Sequence, residues 1–126
     1  MHRLFFTSAA VLGFLSVALG AFGAHGLKAR LGGLSDGADR LEWWKTAALY
    51  HLTHALALAL TAGLFGHTRA GRVGCVAFMV GITLFSGSLY TMTLTGTRWL
   101  GAITPLGGLA LLVGWAALAL AAWLTV

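Results

Sequence analysis

The chain has 126 residues, of which 59% are hydrophobic and only 9% charged, and it carries a formal net charge of +5. A soluble domain carries about 25% charged residues, so this composition excludes a soluble enzyme, a disordered chain, a disulfide-rich secreted scaffold and a multidomain protein. The eight Lys and Arg residues flank four uncharged stretches, Leu4–Leu27, Thr46–His67, Val73–Thr97 and Trp99–Val126, each longer than the roughly 20 residues that cross a bilayer as a helix.

The first predicted helix runs Leu4–Ala24, and its uncharged run is longer than the apolar region of a signal peptide. It is expected to stop at His25-Gly26, where glycine suits a left-handed cap. A polar connector, Leu27–Gly37, contains Gly32-Gly33 and Ser35-Asp36-Gly37 as breakers. Asp39 and Glu42 have the spacing of a capping box, while Asp36/Arg40 and Glu42/Lys45 have that of helical charge pairs. Trp43-Trp44 beside Lys45 reads as an interfacial anchor. These features predict a short amphipathic helix at 36–45, between the first and second membrane helices, running on into the second with or without a bend. The second helix is predicted over Thr46–Gly66, the third over Val73–Thr95, and the fourth over Gly101–Leu124 with Pro105 in its first turn. Short turns between them imply antiparallel neighbours. The expected fold is an all-α integral membrane protein, a single transmembrane domain over 1–126 arranged as a four-helix up-down bundle. Cys75 is a lone cysteine inside the third stretch and is expected to be a small packing residue.

Eighteen glycines would weaken a soluble bundle, whereas in lipid small residues let helices approach closely. Gly74-Gly81-Ser88-Thr95 and Gly107-Gly114-Ala121 repeat every seven residues. Gly20, Gly23, Gly81, Gly87, Gly107, Gly108 and Gly114 are the expected packing positions, within one protomer or at an oligomer seam.

With alternating helices, the end of the first and third and the start of the second and fourth share one side of the membrane. Polar residues collect there: His25, Tyr50, His51, His54, Ser86, Ser88, Tyr90 and Thr104. They predict a one-sided vestibule or polar network, with His25, His54 and Tyr90 at its centre, closed off by the apolar opposite leaflet. His25, His51 and His54 have the donor chemistry of a three-nitrogen metal site, but no carboxylate or thiolate accompanies them, and no metal or other cofactor is assigned. The absence of an intramembrane Asp or Glu argues against a proton-coupled exporter of the small multidrug type. No nucleophile motif occurs, so no catalytic residue is assigned and no enzyme is expected. No basic stripe occurs either, and nucleic acid is not an expected partner.

Gly20-Ala21-Phe22-Gly23-Ala24-His25, Tyr50 with His54, Phe85-Ser86-Gly87-Ser88-Leu89-Tyr90 and Thr104-Pro105-Leu106-Gly107-Gly108 resemble, in that order, the small membrane family called domain of unknown function 423. The similarity spans Leu4 to about Trp115. It implies a four-helix membrane protein whose activity is not established. The family commonly has glutamine where this chain has His51, which implies hydrogen bonding rather than metal ligation as the shared role there.

Counting Lys and Arg alone puts the amino terminus outside, and netting off the three acids reverses the result, so sidedness stays open. Membrane lipid is the expected partner and the bacterial inner membrane the expected location. The expected role is a non-enzymatic packing or accessory module of a homo-oligomer or larger membrane complex. The alternative is a protein that binds or transports a small solute, ion or lipid headgroup through the vestibule.

Overall fold

A computed structural model describes residues 1–126. The chain forms four helices long and apolar enough to cross a membrane, and no strand. Helix α1 spans His2–Leu31, α2 Gly37–Phe65, α3 Arg69–Thr95 and α4 Thr104–Thr125, with a short 3₁₀ turn at Arg98–Ala102 before α4.

The first helix does not stop at His25-Gly26. It widens into a π turn over Gly23–Leu27 and resumes as α-helix over Lys28–Leu31. The partner helix crowds α1 at this point. Trp44 of α2 presses its indole against Gly23, where any Cβ would collide with it, and donates Nε1–H to the Leu19 carbonyl at 2.7 Å. The Leu19 carbonyl keeps its ladder bond from Gly23 N–H as well, so the indole shares this acceptor at the point where the helix begins to widen. Trp44 is therefore buried, not an interfacial anchor, and only Trp43 remains near the surface, under the guanidinium of Arg98 at 5.1 Å.

The amphipathic helix expected at 36–45 does not exist as a separate element, because residues 37–45 are the first turns of an unbroken α2. The capping box is absent as well. Asp36 occupies the cap position without capping, since its carboxylate accepts from Nε of Arg40 at 3.0 Å, and Glu42 is taken by Lys45 at 2.6 Å. Elsewhere the turns follow the sequence. Thr68 caps α3, its hydroxyl accepting from Gly71 N–H at 2.9 Å and donating to the Phe65 carbonyl at 2.8 Å. Gly96 ends α3 in the left-handed region at φ 73°, its N–H returning to the Met92 carbonyl at 2.8 Å. Pro105 lies in the first turn of α4.

Packing runs in chain order. α1 packs on α2, α2 on α3, and α3 on α4, while α2 and α4 touch only sparsely and α1 and α4 share no packed interface. The four helices thus form an open row with α2 and α3 inside. Cys75, Phe78 and Ile82 of α3 meet Ala57, Leu58 and Ala62 of α2 in the main core, joined by Phe5 and Ala9 from α1 and Leu111 from α4. Cys75 is a buried packing residue there.

Glycines decide the α3–α4 seam. A Cβ at Gly107 would strike the backbone of Phe85, one at Gly81 would strike Leu111, and one at Gly114 would enter the Phe78 ring. Gly23 serves α1 against α2 in the same way. Gly108 makes only ordinary contact with the Phe85 ring at 3.8 Å, and Gly20 and Gly87 face open space. Those last two are not packing positions within the protomer.

Candidate functional site

The polar side chains do not enclose a single vestibule. Most are consumed by stitching the helices together. Ser86 donates to the Ala47 carbonyl at 2.8 Å, tying α3 to α2. Thr93 reaches the Arg40 carbonyl at 3.1 Å and its own helix at Leu89. Ser88 gives its proton to the Phe85 carbonyl at 2.9 Å, so Thr104, 2.7 Å away, donates to it and ties α4 to α3.

The histidines separate. His25 lies exposed on the π turn of α1. His51 and His54 are one turn apart on α2, each more than nine-tenths buried, but they look toward different neighbours. Nδ1 of His51 is hydrogen-bonded to the Tyr90 hydroxyl at 3.1 Å, in an aromatic patch where Trp44 packs on Tyr90 with ring centres 4.5 Å apart. Its Nε2 is buried without a partner. His54 turns toward α4, meeting the Trp115 ring edge-on at 6.1 Å. No three His, Cys, Asp or Glu side chains gather within ligating reach of one another. The three histidines do not converge on one point, and the expectation of His25, His54 and Tyr90 as one core is corrected: Tyr90 pairs with His51, His54 faces α4 and His25 lies exposed.

What α2 and α4 leave open between them is a groove of about 790 Å³, floored by Phe85 of α3. Its walls are Tyr50 and His54 from α2 and Pro105, Leu109 and Trp115 from α4. Ligand pockets fall in this size range and combine apolar lining with a few placed polar groups. The aromatic rings are ordered: Tyr50 stacks on Phe85 at 4.4 Å and 23° and on His54 at 5.6 Å and 28°, while Trp115 stands edge-on to Phe78 at 5.5 Å. No ionisable acid or base other than His54 and the Tyr50 phenol lines the groove.

The polar focus of the groove is His54. Nδ1 contacts the Tyr50 carbonyl at 2.7 Å. Nε2 has no partner within the chain, and unlike Nε2 of His51 it is not sealed off from the surface. A buried imidazole therefore opens one nitrogen into an otherwise apolar trough.

Sequence reasoning placed Tyr50 and His54 among the candidate residues but did not single out Phe85, Leu109 or Trp115. Trp115 carried a signal: it lies in mid-helix, away from the membrane interfaces where tryptophan is expected.

Comparison with known proteins agrees with the architecture. The family model described as Protein of unknown function (DUF423) matches residues 19–108. The UPF0382 membrane protein YwdK of Bacillus subtilis (strain 168) is 40% identical, covering 95% of this chain and 96% of its own length. The UPF0382 membrane protein of Haemophilus influenzae is 38% identical, over 94% and 93%. The UPF0382 inner membrane protein YgdD of Escherichia coli (strain K12) is 38% identical, over 90% and 85%. No solved structure matches.

Proposed function

The chain belongs to the DUF423 family of integral membrane proteins, and we propose that it is a non-enzymatic binding protein for a neutral, membrane-dissolved amphiphile. The observation that carries this reading is the buried His54 presenting an unpartnered nitrogen to the apolar groove between α2 and α4. An apolar body would replace lipid along Leu109, Phe85 and Trp115, and a single polar group would meet His54. The groove has no charge to receive an ion and no nucleophile paired with an acid, so binding rather than chemistry fits it. The name of the Escherichia coli relative supports placement in a bacterial inner membrane.

A brominated long-chain alcohol tests this in lipid nanodiscs. It should quench tryptophan fluorescence with a saturable component that Trp115→Phe removes, and Gly108→Leu, which fills the groove without adding a fluorophore, should abolish that component. Linear, non-saturating quenching identical in the unaltered protein and Gly108→Leu would reduce the groove to ordinary lipid-facing surface.

A second reading is assembly with another membrane protein or a second copy, favoured by the outer face of α1. Between His2 and Phe22 only Phe5, Ala9 and Ser16 are buried, and Gly13 and Gly20 have nothing within 4 Å. Such small residues suit close helix association in lipid. Native mass measurement after mild-detergent extraction should show a complex that Gly20→Leu disperses. A strict monomer with no co-purifying partner would dismiss it.

A further inference from the structure

The Tyr50 carbonyl determines what kind of ligand the groove accepts. A carbonyl oxygen only accepts hydrogen bonds, so Nδ1 of His54, 2.7 Å away, carries the proton of the neutral ring. Nε2 is then a bare lone pair directed at the groove. The Thr53 hydroxyl, at the rim, already donates to the Leu49 carbonyl at 2.8 Å and has only acceptor capacity left. The Tyr50 phenol and the Trp115 indole N–H are the lining groups with a proton of their own to offer, and neither changes the lone pair at Nε2. A ligand that seats on His54 must therefore bring a donor.

The walls add a second requirement. Tyr50, His54 and Phe85 form a continuous stack of near-parallel rings, and Trp115 stands edge-on to His54 at 71°. Stacked faces with an edge-on neighbour accommodate a further aromatic ring better than a bare alkyl chain, because offset-stacked and edge-to-face contacts add to simple area burial.

Resting on the proposed amphiphile-binding role, we infer that the groove is selective for an aryl alcohol: a flat ring bearing a phenolic hydroxyl and carried on an apolar tail. Hydroquinones dissolved in the membrane are the chemical class that combines these features. The hydroxyl donates to Nε2 of His54 while the ring lies against Tyr50, Phe85 and Trp115. The oxidised quinone offers carbonyl acceptors only and sets lone pair against lone pair at His54. The site thus distinguishes the reduced from the oxidised form by binding alone, with no electron transferred to the protein.

Displacement of the brominated alcohol from the groove measures this directly. The competitors are a decyl-substituted hydroquinone, the corresponding quinone, its dimethyl ether, and decanol, all in protein-containing nanodiscs. The hydroquinone should displace the probe at about tenfold lower concentration than the ether or the quinone, the ratio expected for one hydrogen bond of typical net strength. His54→Phe should bring the hydroquinone to the level of the ether and leave the ether unchanged. Tyr50→Phe should preserve the preference, assigning it to His54. Where His54→Phe does not fold, the hydroquinone-to-ether ratio in the unaltered protein decides alone. Equal displacement by hydroquinone and ether would overturn the donor requirement while leaving the groove a binding site. Stronger displacement by decanol than by hydroquinone would overturn the aromatic requirement. A probe that never saturates the groove would overturn both this inference and the reading beneath it.

Discussion

His51 illustrates how a buried polar residue in a membrane helix is held and at what cost. One ring nitrogen is satisfied by Tyr90 and the other is buried without a partner. Leaving a buried group unpaired costs about 1–3 kcal/mol, whereas removing both members of a pair is nearly neutral. Tyr90→Phe alone should therefore destabilise the protein by about 1 kcal/mol, since His51 would then lack any bond on either nitrogen. The double change Tyr90→Phe with His51→Leu should recover that loss or better it. Thermal unfolding of the three proteins in one detergent checks the cycle, and a double variant weaker than Tyr90→Phe would contradict it. Ser86 and Thr93 differ from His51 in kind, because every proton they own reaches a carbonyl.

At the scale of elements, the glycines divide into those that set an interface and those that do not. Gly107→Ala places a methyl group against the Phe85 backbone, which cannot turn aside as a side chain would. The α3–α4 seam must open, at a cost of about 1–3 kcal/mol. Gly20→Ala and Gly87→Ala meet nothing and should be neutral or stabilising by up to about 1 kcal/mol, the helix preference for alanine. Chemical-denaturant unfolding of these variants gives the comparison. The seven-residue spacing of Gly107 and Gly114 was legible in the sequence because both face one neighbour. The identity of Gly20 as an outward position was not, because small residues look alike whether they face protein or lipid. The extent of α1 was misread for a related reason. Gly23 and Gly26 are breakers in water, but inside a membrane every backbone group must be bonded internally, so the chain keeps its helical ladder and merely widens it. The groove was half legible. Tyr50 and His54 stood out as polar residues in an apolar run, yet their separation from His51 depends on which neighbour covers which face of α2, and only the open packing order decides that.

At the scale of the whole molecule, the two connectors on the polar side are tied to each other. Asp36, between α1 and α2, accepts from Arg40 and lies 3.6 Å from Arg98, which precedes α4. The hydrogen bond from Arg40, together with the positive charges of Arg40 and Arg98, outweighs the opposing desolvation and holds its carboxyl below the usual aspartate value. A carboxyl so lowered stabilises the fold above its unfolded value of about pH 4, and the contribution fades as pH falls through the lower folded value. The melting temperature should accordingly drop on acidification below about pH 4, and Asp36→Asn should be less stable near neutrality yet show a smaller drop. A variant that retained the full acid dependence would show that the Asp36 pairing does not carry it. The π turn of α1 works over the same length scale. From Phe5 to Gly23 is about five whole turns of a regular helix, so Phe5 in the far core and Gly23 beneath Trp44 share one meridian. Beyond Gly23 the buried residues Leu27 and Leu31 follow at intervals of four, each of which overshoots a regular turn by about 40°. The widened turn absorbs much of that overshoot, acting as a phase correction. One straight edge of a single helix is thereby kept in step with α2 from one face of the membrane to the other.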